Sequence, residues 1–325
     1  MRQPEFWWRN TLPARLAAAV LAPFGRLYGA SVGWKQGRSQ PYRARVPVIC
    51  VGNLTVGGTG KTPVATAVAK LLQEKGLSPV FLLRGYKGKT SAALVVEAES
   101  HDASMVGDEA LLLARVAPTI VSPDRAWGAR IAEAIEARVI IMDDGHQNFS
   151  VAKDLSLLIV DAETGFGNGR IVPAGPLREP VQQGLRRADA VVLIGDGNPG
   201  LPGFTGPVLR ARLAAEDRLH GRRVVAFAGI GRPQKFFASL RGAGAELVEN
   251  YSYPDHHAYS AKEIARLKTR ANERNALLIT TEKDFVRLGS SEREGIEALP
   301  VRVVIEDEAS FEQLLQPVFA RLAAV

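Results

Sequence analysis

Lys61 and Thr62 close a run, Gly52-Asn53-Leu54-Thr55-Val56-Gly57-Gly58-Thr59-Gly60-Lys61-Thr62-Pro63, whose composition suits the holding of a triphosphate. Gly57, Gly58 and Gly60 let the chain turn tightly enough to aim several N–H groups at phosphate oxygens, and a helix opening at Lys61 adds its positive end. The cradle then runs from Gly57 through Thr59 to Pro63, with the Lys61 ammonium on the outer phosphates and the Thr62 hydroxyl on Mg²⁺. The strict pattern G-x-x-x-x-G-K-[ST] is missed at one position, since Thr55 stands where the first glycine is expected. The setting compensates. Residues 46–51 read as a buried parallel strand, and 61–74 as a helix with Val64, Val68, Leu71 and Leu72 on one side.

Four further groups could do chemistry. Asp143 and Asp144 end the apolar run that begins at Val139, and acids at the carboxyl end of a strand beside a phosphate loop can hold Mg²⁺. An ordinary strand-ending turn is the alternative; the loop upstream favours the metal. Asp108, in Gly107-Asp108-Glu109, is either an N-cap or a general base taking a proton from an attacking hydroxyl. His256 lies beside His257 on a loop, where neighbouring side chains diverge, so one working histidine fits better than a bidentate metal site. A loop from Phe166 to Pro180 is crowded with Gly, Pro and Arg. Within it Arg170 and Arg178, and Arg84 at the end of the second strand, either grip a substrate phosphate or are solvated, and Asn168 is a further candidate substrate residue.

These residues need a scaffold that brings strand ends together. From Val46 onward apolar runs alternate with helical patterns, which predicts a P-loop-type, doubly wound, mostly parallel α/β sheet. Strands are expected at 46–51, 79–83, 119–121, 139–142, 156–160 and 190–194, with helices at 61–74, 107–117, 124–137 and 181–187. The Gly/Pro-rich run 195–206 reads as a linker. Three parts follow: a helical segment 1–40, a nucleotide-binding domain 41–204, and a second, smaller α/β domain 205–325.

The single cysteine, Cys50, excludes a disulfide framework and a zinc-type cysteine cluster, and suits a reducing compartment. A net charge of +7 suggests nucleic acid until its location is considered. Residues 1–45 hold eight basic side chains against Glu5, so the remainder balances at 33 against 33. A nucleic-acid footprint would lie on the working face of the folded domain, so no nucleic-acid partner is expected. The basic front also carries Phe6, Trp7, Trp8, Leu16, Val20, Phe24, Leu27 and Tyr28, the pattern of an amphipathic helix lying at a membrane surface. Arg15, Pro23 and Arg26 argue against a span. A helix that merely packs on the protein and an organelle transit peptide are the other readings.

The chain resembles the tetraacyldisaccharide 4′-kinase family of lipid A biosynthesis. The likeness is carried by residues 52–63, Arg84-Gly85-Tyr86, Gly107-Asp108-Glu109, Asp143-Asp144-Gly145-His146-Gln147, residues 166–170, residues 173–179, Ala228-Gly229-Ile230-Gly231, Asp255-His256 and Thr281-Glu282-Lys283-Asp284. It implies transfer of the γ-phosphoryl group of ATP, with Mg²⁺, to the 4′-hydroxyl of a tetraacylated glucosamine disaccharide 1-phosphate. It implies that Lys61 and Thr62 serve ATP and Mg²⁺, that Asp143 and Asp144 are the metal-side acids, and that Asp108 is a base oriented by His256. An acylated lipid substrate and peripheral attachment to the cytoplasmic face of the bacterial inner membrane are implied too, with no obligate protein partner evident. Two positions depart from the family pattern: His146 and Asn148 flank Gln147, and Leu83 replaces a common serine.

Overall fold

A computed structural model describes residues 4–85, 88, 90, 92–215 and 219–323; Tyr86 lies outside them. The chain opens with a 3₁₀ turn (Glu5–Trp7) and a long helix, α1 (Leu12–Arg38), capped by the Thr11 hydroxyl. The large unit then alternates β1 (Val48–Gly52), α2 (Lys61–Glu74), β2 (Pro79–Leu83), β3 (Leu94–Val95), α3 (Ala103–Val106), α4 (Asp108–Ala114), β4 (Thr119–Val121), α5 (Arg125–Ala134), β5 (Val139–Asp143), β6 (Leu155–Asp161), α6 (Val181–Leu185) and β7 (Ala190–Ile194). After β8 (Val208–Ala215) come β9 (Arg223–Ala228), α7 (Pro233–Gly242), β10 (Glu246–Ser252), α8 (Ala261–Glu273), β11 (Leu277–Thr281), α9 (Glu282–Arg287), α10 (Ser290–Arg293) and β12 (Ile296–Leu299). The chain closes with β13 (Val301–Ile305), α11 (Glu308–Leu314) and α12 (Gln316–Ala323).

Among the described residues nine strands form one sheet in the order β13-β8-β7-β6-β1-β5-β2-β4-β3, and four form a parallel second sheet, β10-β9-β11-β12. β1 lies between β5 and β6, where the winding direction reverses, and a ligand crevice is expected at the carboxyl ends of strands at such a point. The central strands are buried on both faces. Val64, Val68 and Leu72 of α2 pack on one side with Ile49, Phe81 and Ile141, while Ala129 and Ala132 of α5 pack on the other with Val48, Leu82 and Met142.

The sheets do not divide at residue 204. β8 extends the large sheet in parallel beside β7, and β13 pairs antiparallel with β8, so the second sheet is confined to strands between 223 and 299. The last two helices return to the large unit as well: Phe311, Leu315 and Val318 join its core, and Arg321 bonds Asp154 and the Ala44 carbonyl. The 195–206 run is therefore a connection between neighbouring strands of one sheet.

Helix α1 is oriented by its smallest residues. Ala14, Ala18, Gly25 and Gly29 are buried, whereas Leu12, Leu16, Val20, Phe24, Leu27 and Trp34 face outward, 59–73 % exposed. A Cβ on Gly25 would sit 2.6 Å from the Ile171 carbonyl oxygen, whereas one on Gly33 would meet nothing within 4 Å. Gly25→Ala should therefore lower stability by about 1–2 kcal/mol, and Gly33→Ala should raise it by about 0.5–1 kcal/mol, as read by thermal unfolding. Equal effects would mean that α1 is not docked along Ile171. By length and composition the helix is also able to cross a membrane.

Candidate active site

The loop after β1 is held open by two residues in the left-handed region, Gly57 (φ 113°) and Gly60 (φ 88°), the second capping α2. Asn53 braces it from within: its amide donates to the Thr55 carbonyl (2.8 Å) and to Thr59 Oγ1 (3.0 Å). The 166–180 loop lies across its start, with Val56 N–H donating to the Pro176 carbonyl (2.8 Å) and Arg178 N–H to that of Leu54 (2.8 Å). Lys61 and Thr62 follow at the helix N-terminus, both largely buried.

The two acids have different surroundings. Thr62 Oγ1 donates to Asp143 Oδ2 (3.0 Å), while Asp143 Oδ1 is buried without a hydrogen-bond partner. Burial, reinforced by Glu109 and Asp144, pushes the Asp143 carboxyl up from its ordinary value. Asp144 has φ 55°, a conformation unusual for a non-glycine residue. Its carboxylate meets Lys61 Nζ (3.6 Å) and Arg178 Nη1 (2.8 Å). Burial raises that carboxyl, but Lys61 and Arg178 outweigh it and hold the group well below the usual range. An orphaned carboxylate oxygen beside a hydroxyl and further acids is a donor set that suits a hard divalent cation. Thr62 and Asp143, with Asp144 beside them, are the residues that could hold Mg²⁺.

A third cluster joins the two sheets. Asp108 is the first residue of α4, and Gly107 rather than Asp108 occupies the cap position. Its carboxylate, 5 % exposed, turns toward the second unit, where Oδ2 lies 3.3 Å from His256 Nδ1 and bonds Arg287. Burial raises the Asp108 carboxyl, yet His256, Arg287 and Lys283 more than cancel that and keep it below the usual carboxylate range. His256 also has a positive φ, 59°. Beside this pair Lys283 reaches across to Glu109 (2.6 Å). A carboxylate from the large unit thus meets a histidine and two cations from the second, and Glu109 beside them feels the charge of Lys61 and helps to raise the Asp143 carboxyl.

The model of the family described as tetraacyldisaccharide-1-P 4′-kinase matches residues 17–320. The chain belongs to this family. It is 50 % identical over 329 residues to the tetraacyldisaccharide 4′-kinase of Paramagnetospirillum magneticum, covering 99 % of each chain. It is 50 % identical over 336 residues to that of Methylobacterium sp. strain 4-46, covering 100 % of this chain and 98 % of the relative. Its fold is similar to that of LpxK from Aquifex aeolicus, solved in complex with ATP, with TM-score 0.76, 31 % identity, and 93 % and 99 % of the two chains covered.

The remaining expected residues of this tetraacyldisaccharide 4′-kinase family member are placed in three ways. Arg178 is in the site. Arg84 and Arg170 are exposed, and among the described residues neither shares the bond to Asp144 that fixes Arg178. Asn168 is turned into its own loop: its amide donates to the Ala174 carbonyl (2.9 Å) and its Oδ1 accepts from Arg170 N–H (3.1 Å). Its geometry is that of a loop brace. The family departures are also accommodated. His146 is wholly buried, with Nε2 at 3.0 Å from the Gly184 carbonyl, and burial with Lys153 and Arg187 nearby pushes its pKa down to about 3. Asn148 accepts from Ser150. Gln147, Asn53 and Arg287 were missed as site residues. Gln147 donates to the Asn53 carbonyl (2.8 Å) and to Glu179 (2.9 Å), and accepts from Arg178 (3.3 Å), tying the two loops together.

Proposed function

We propose that the chain transfers the γ-phosphoryl group of ATP to the 4′-hydroxyl of a tetraacylated glucosamine disaccharide 1-phosphate, giving lipid IVA for lipid A biosynthesis. The observation that carries the assignment of roles is the meeting of Asp108 from the large unit with His256 from the second, next to Glu109, whose carboxyl feels the charge of Lys61. Phosphoryl transfer asks the protein mainly for positioning and for neutralisation of charge. The loop N–H groups and Lys61 hold the triphosphate; Arg178, through Asp144, keeps Lys61 and the acids in fixed relation. Mg²⁺, held by Thr62, Asp143 and Asp144, supplies further neutralisation when bound. Asp108 accepts the proton of the 4′-hydroxyl as its oxygen forms the new bond to phosphorus and the bond to the β–γ bridging oxygen breaks, releasing ADP. His256 orients that carboxylate.

The substrate's acyl chains keep it in a bilayer, so the enzyme has to work at the surface. The outward apolar face of α1, flanked by Arg15, Arg26, Lys35 and Arg38, supports peripheral attachment to an anionic surface, for which we propose the cytoplasmic face of the inner membrane. The same helix docks along the protein through its glycines, which favours lying on the bilayer over crossing it.

Incubation with γ-³²P-ATP and the acylated disaccharide 1-phosphate in mixed micelles should label the lipid. Lys61→Met should remove at least ~10²-fold of that labelling and weaken ATP binding in calorimetry. ATP hydrolysis with an unlabelled acceptor would point to a nucleotide switch instead.

A further inference from the structure

We propose that Arg287 is the positioning residue that sets the register between Asp108 and His256, a role that rests on reading Asp108 as the base. Arg287 ends α9, which starts at once after β11 because the Thr281 hydroxyl caps it, accepting from Asp284 N–H (3.0 Å). Asp284 and Arg287 therefore lie one turn apart on one face, and Nη1 donates to Asp284 Oδ1 (2.7 Å). Asp284 is wholly buried and immobilised by three more donors: Gly229 N–H (3.0 Å), Tyr259 Oη (3.0 Å) and Thr281 Oγ1 (2.7 Å).

The Gly229 carbonyl is the shared reference point. It accepts from Arg287 Nη1 (2.8 Å) and from the backbone N–H of His256 (2.9 Å), so the guanidinium and the histidine backbone are measured from one oxygen. Glycine suits the position, since a Cβ would lie 2.9 Å from Tyr259 Oη and 3.1 Å from Asp284 Oδ1 and would press both out of place. The opposite edge of the guanidinium leaves the second unit: Nε donates to Asp108 Oδ2 (3.1 Å), Nη2 bonds the same oxygen, and Nη2 lies 3.3 Å from His256 Nδ1. A planar fork with donors on both edges spans these partners in fixed geometry; a point-charge ammonium does not. Gly229, His256, Thr281 and Asp284, drawn from three separate motifs of the sequence, are thereby parts of one device.

The full chain is assayed as Arg287→Gln, Arg287→Lys, Arg287→Ala, Asp108→Asn and the Arg287→Gln/Asp108→Asn double variant. Misplacing the base predicts a kcat about 10²-fold lower in Arg287→Gln and Arg287→Lys, with KM for ATP within about twofold of the parent. Guanidinium ion should restore Arg287→Ala at least ~10-fold, and the double variant should be no slower than Asp108→Asn, because the two residues act as one unit. Losses that multiply in the double variant, or a lowered melting temperature with no guanidinium rescue, would reduce Arg287 to a structural contact and overturn the proposal. Should Arg287→Gln not fold, Arg287→Lys decides alone: a kcat within about twofold of the parent rejects the role. An inactive Asp108→Asn beside a fully active Arg287→Gln rejects only the Arg287 assignment; a fully active Asp108→Asn rejects the base reading and the clamp with it.

Discussion

Asp108→Asn should lower kcat about 10³-fold while leaving ATP affinity within about threefold. General-base catalysis is worth about 10²–10⁴-fold, and an amide of the same shape cannot take the hydroxyl proton. The expected loss corresponds to about 4 kcal/mol of transition-state stabilisation. ATP binding is spared because the carboxylate's partners are Arg287, His256 and the Glu109 N–H, none of them in the phosphate loop. The environment also fixes the pH behaviour. Since the folded-state pKa lies below the ordinary 3.8, the carboxylate is ionised throughout the neutral range, and the stability of its ion pair is lost only as pH falls below that ordinary value. Steady-state kinetics with the acylated acceptor, run beside nucleotide calorimetry, make the comparison. Turnover within about threefold of the parent would remove Asp108 from the chemistry, and loss of both turnover and ATP binding would make it a structural residue.

Local chemistry was legible and long-range choice was not. The strand, glycine loop and helix from Val48 to Glu74 are neighbours in sequence, so composition alone placed Lys61 and Thr62 correctly at a helix start. The carboxyl-end position of Asp143 followed equally from the apolar run before it. Sheet membership is decided by pairing across the chain. β8 reads as the start of a new unit because Gly and Pro precede it, yet its free edges are satisfied by β7 on one side and β13 on the other. Arg287 was illegible for the same reason: its acid partner is Asp108, 179 residues away, and nothing in Phe285-Val286-Arg287 announces it. Asn168 misled in the opposite sense, since a polar side chain in a Gly-rich loop looks available until its own backbone is seen to use it. The apolar spacing of α1 was read correctly as one-sided, but which side meets the protein turned on Gly25 and Gly29, the residues that permit close approach.

That orientation makes the outward face of α1 the second place where a large effect is expected. Leu16→Glu, Phe24→Glu and Leu27→Glu, combined, should weaken partitioning onto anionic vesicles by about 10²–10³-fold. Fully burying a large apolar side chain is worth about 1.5–3 kcal/mol, and partial immersion of three at the headgroup boundary gives about 3–4 kcal/mol in sum. The three new charges oppose the attraction of Arg15, Arg26, Lys35 and Arg38 to anionic lipid, at about 1 kcal/mol for each basic group near the surface. Among the described residues none of the three side chains contributes to a buried cluster, so melting temperature and ATP affinity should match the parent. Turnover should fall on substrate embedded in vesicles but persist on substrate dispersed in detergent, because the loss is one of access. Sedimentation with vesicles containing acidic lipid, paired with both assays, separates the possibilities. Unchanged sedimentation would show that this face does not meet the bilayer. A melting temperature lowered by several degrees would show that it packs against protein.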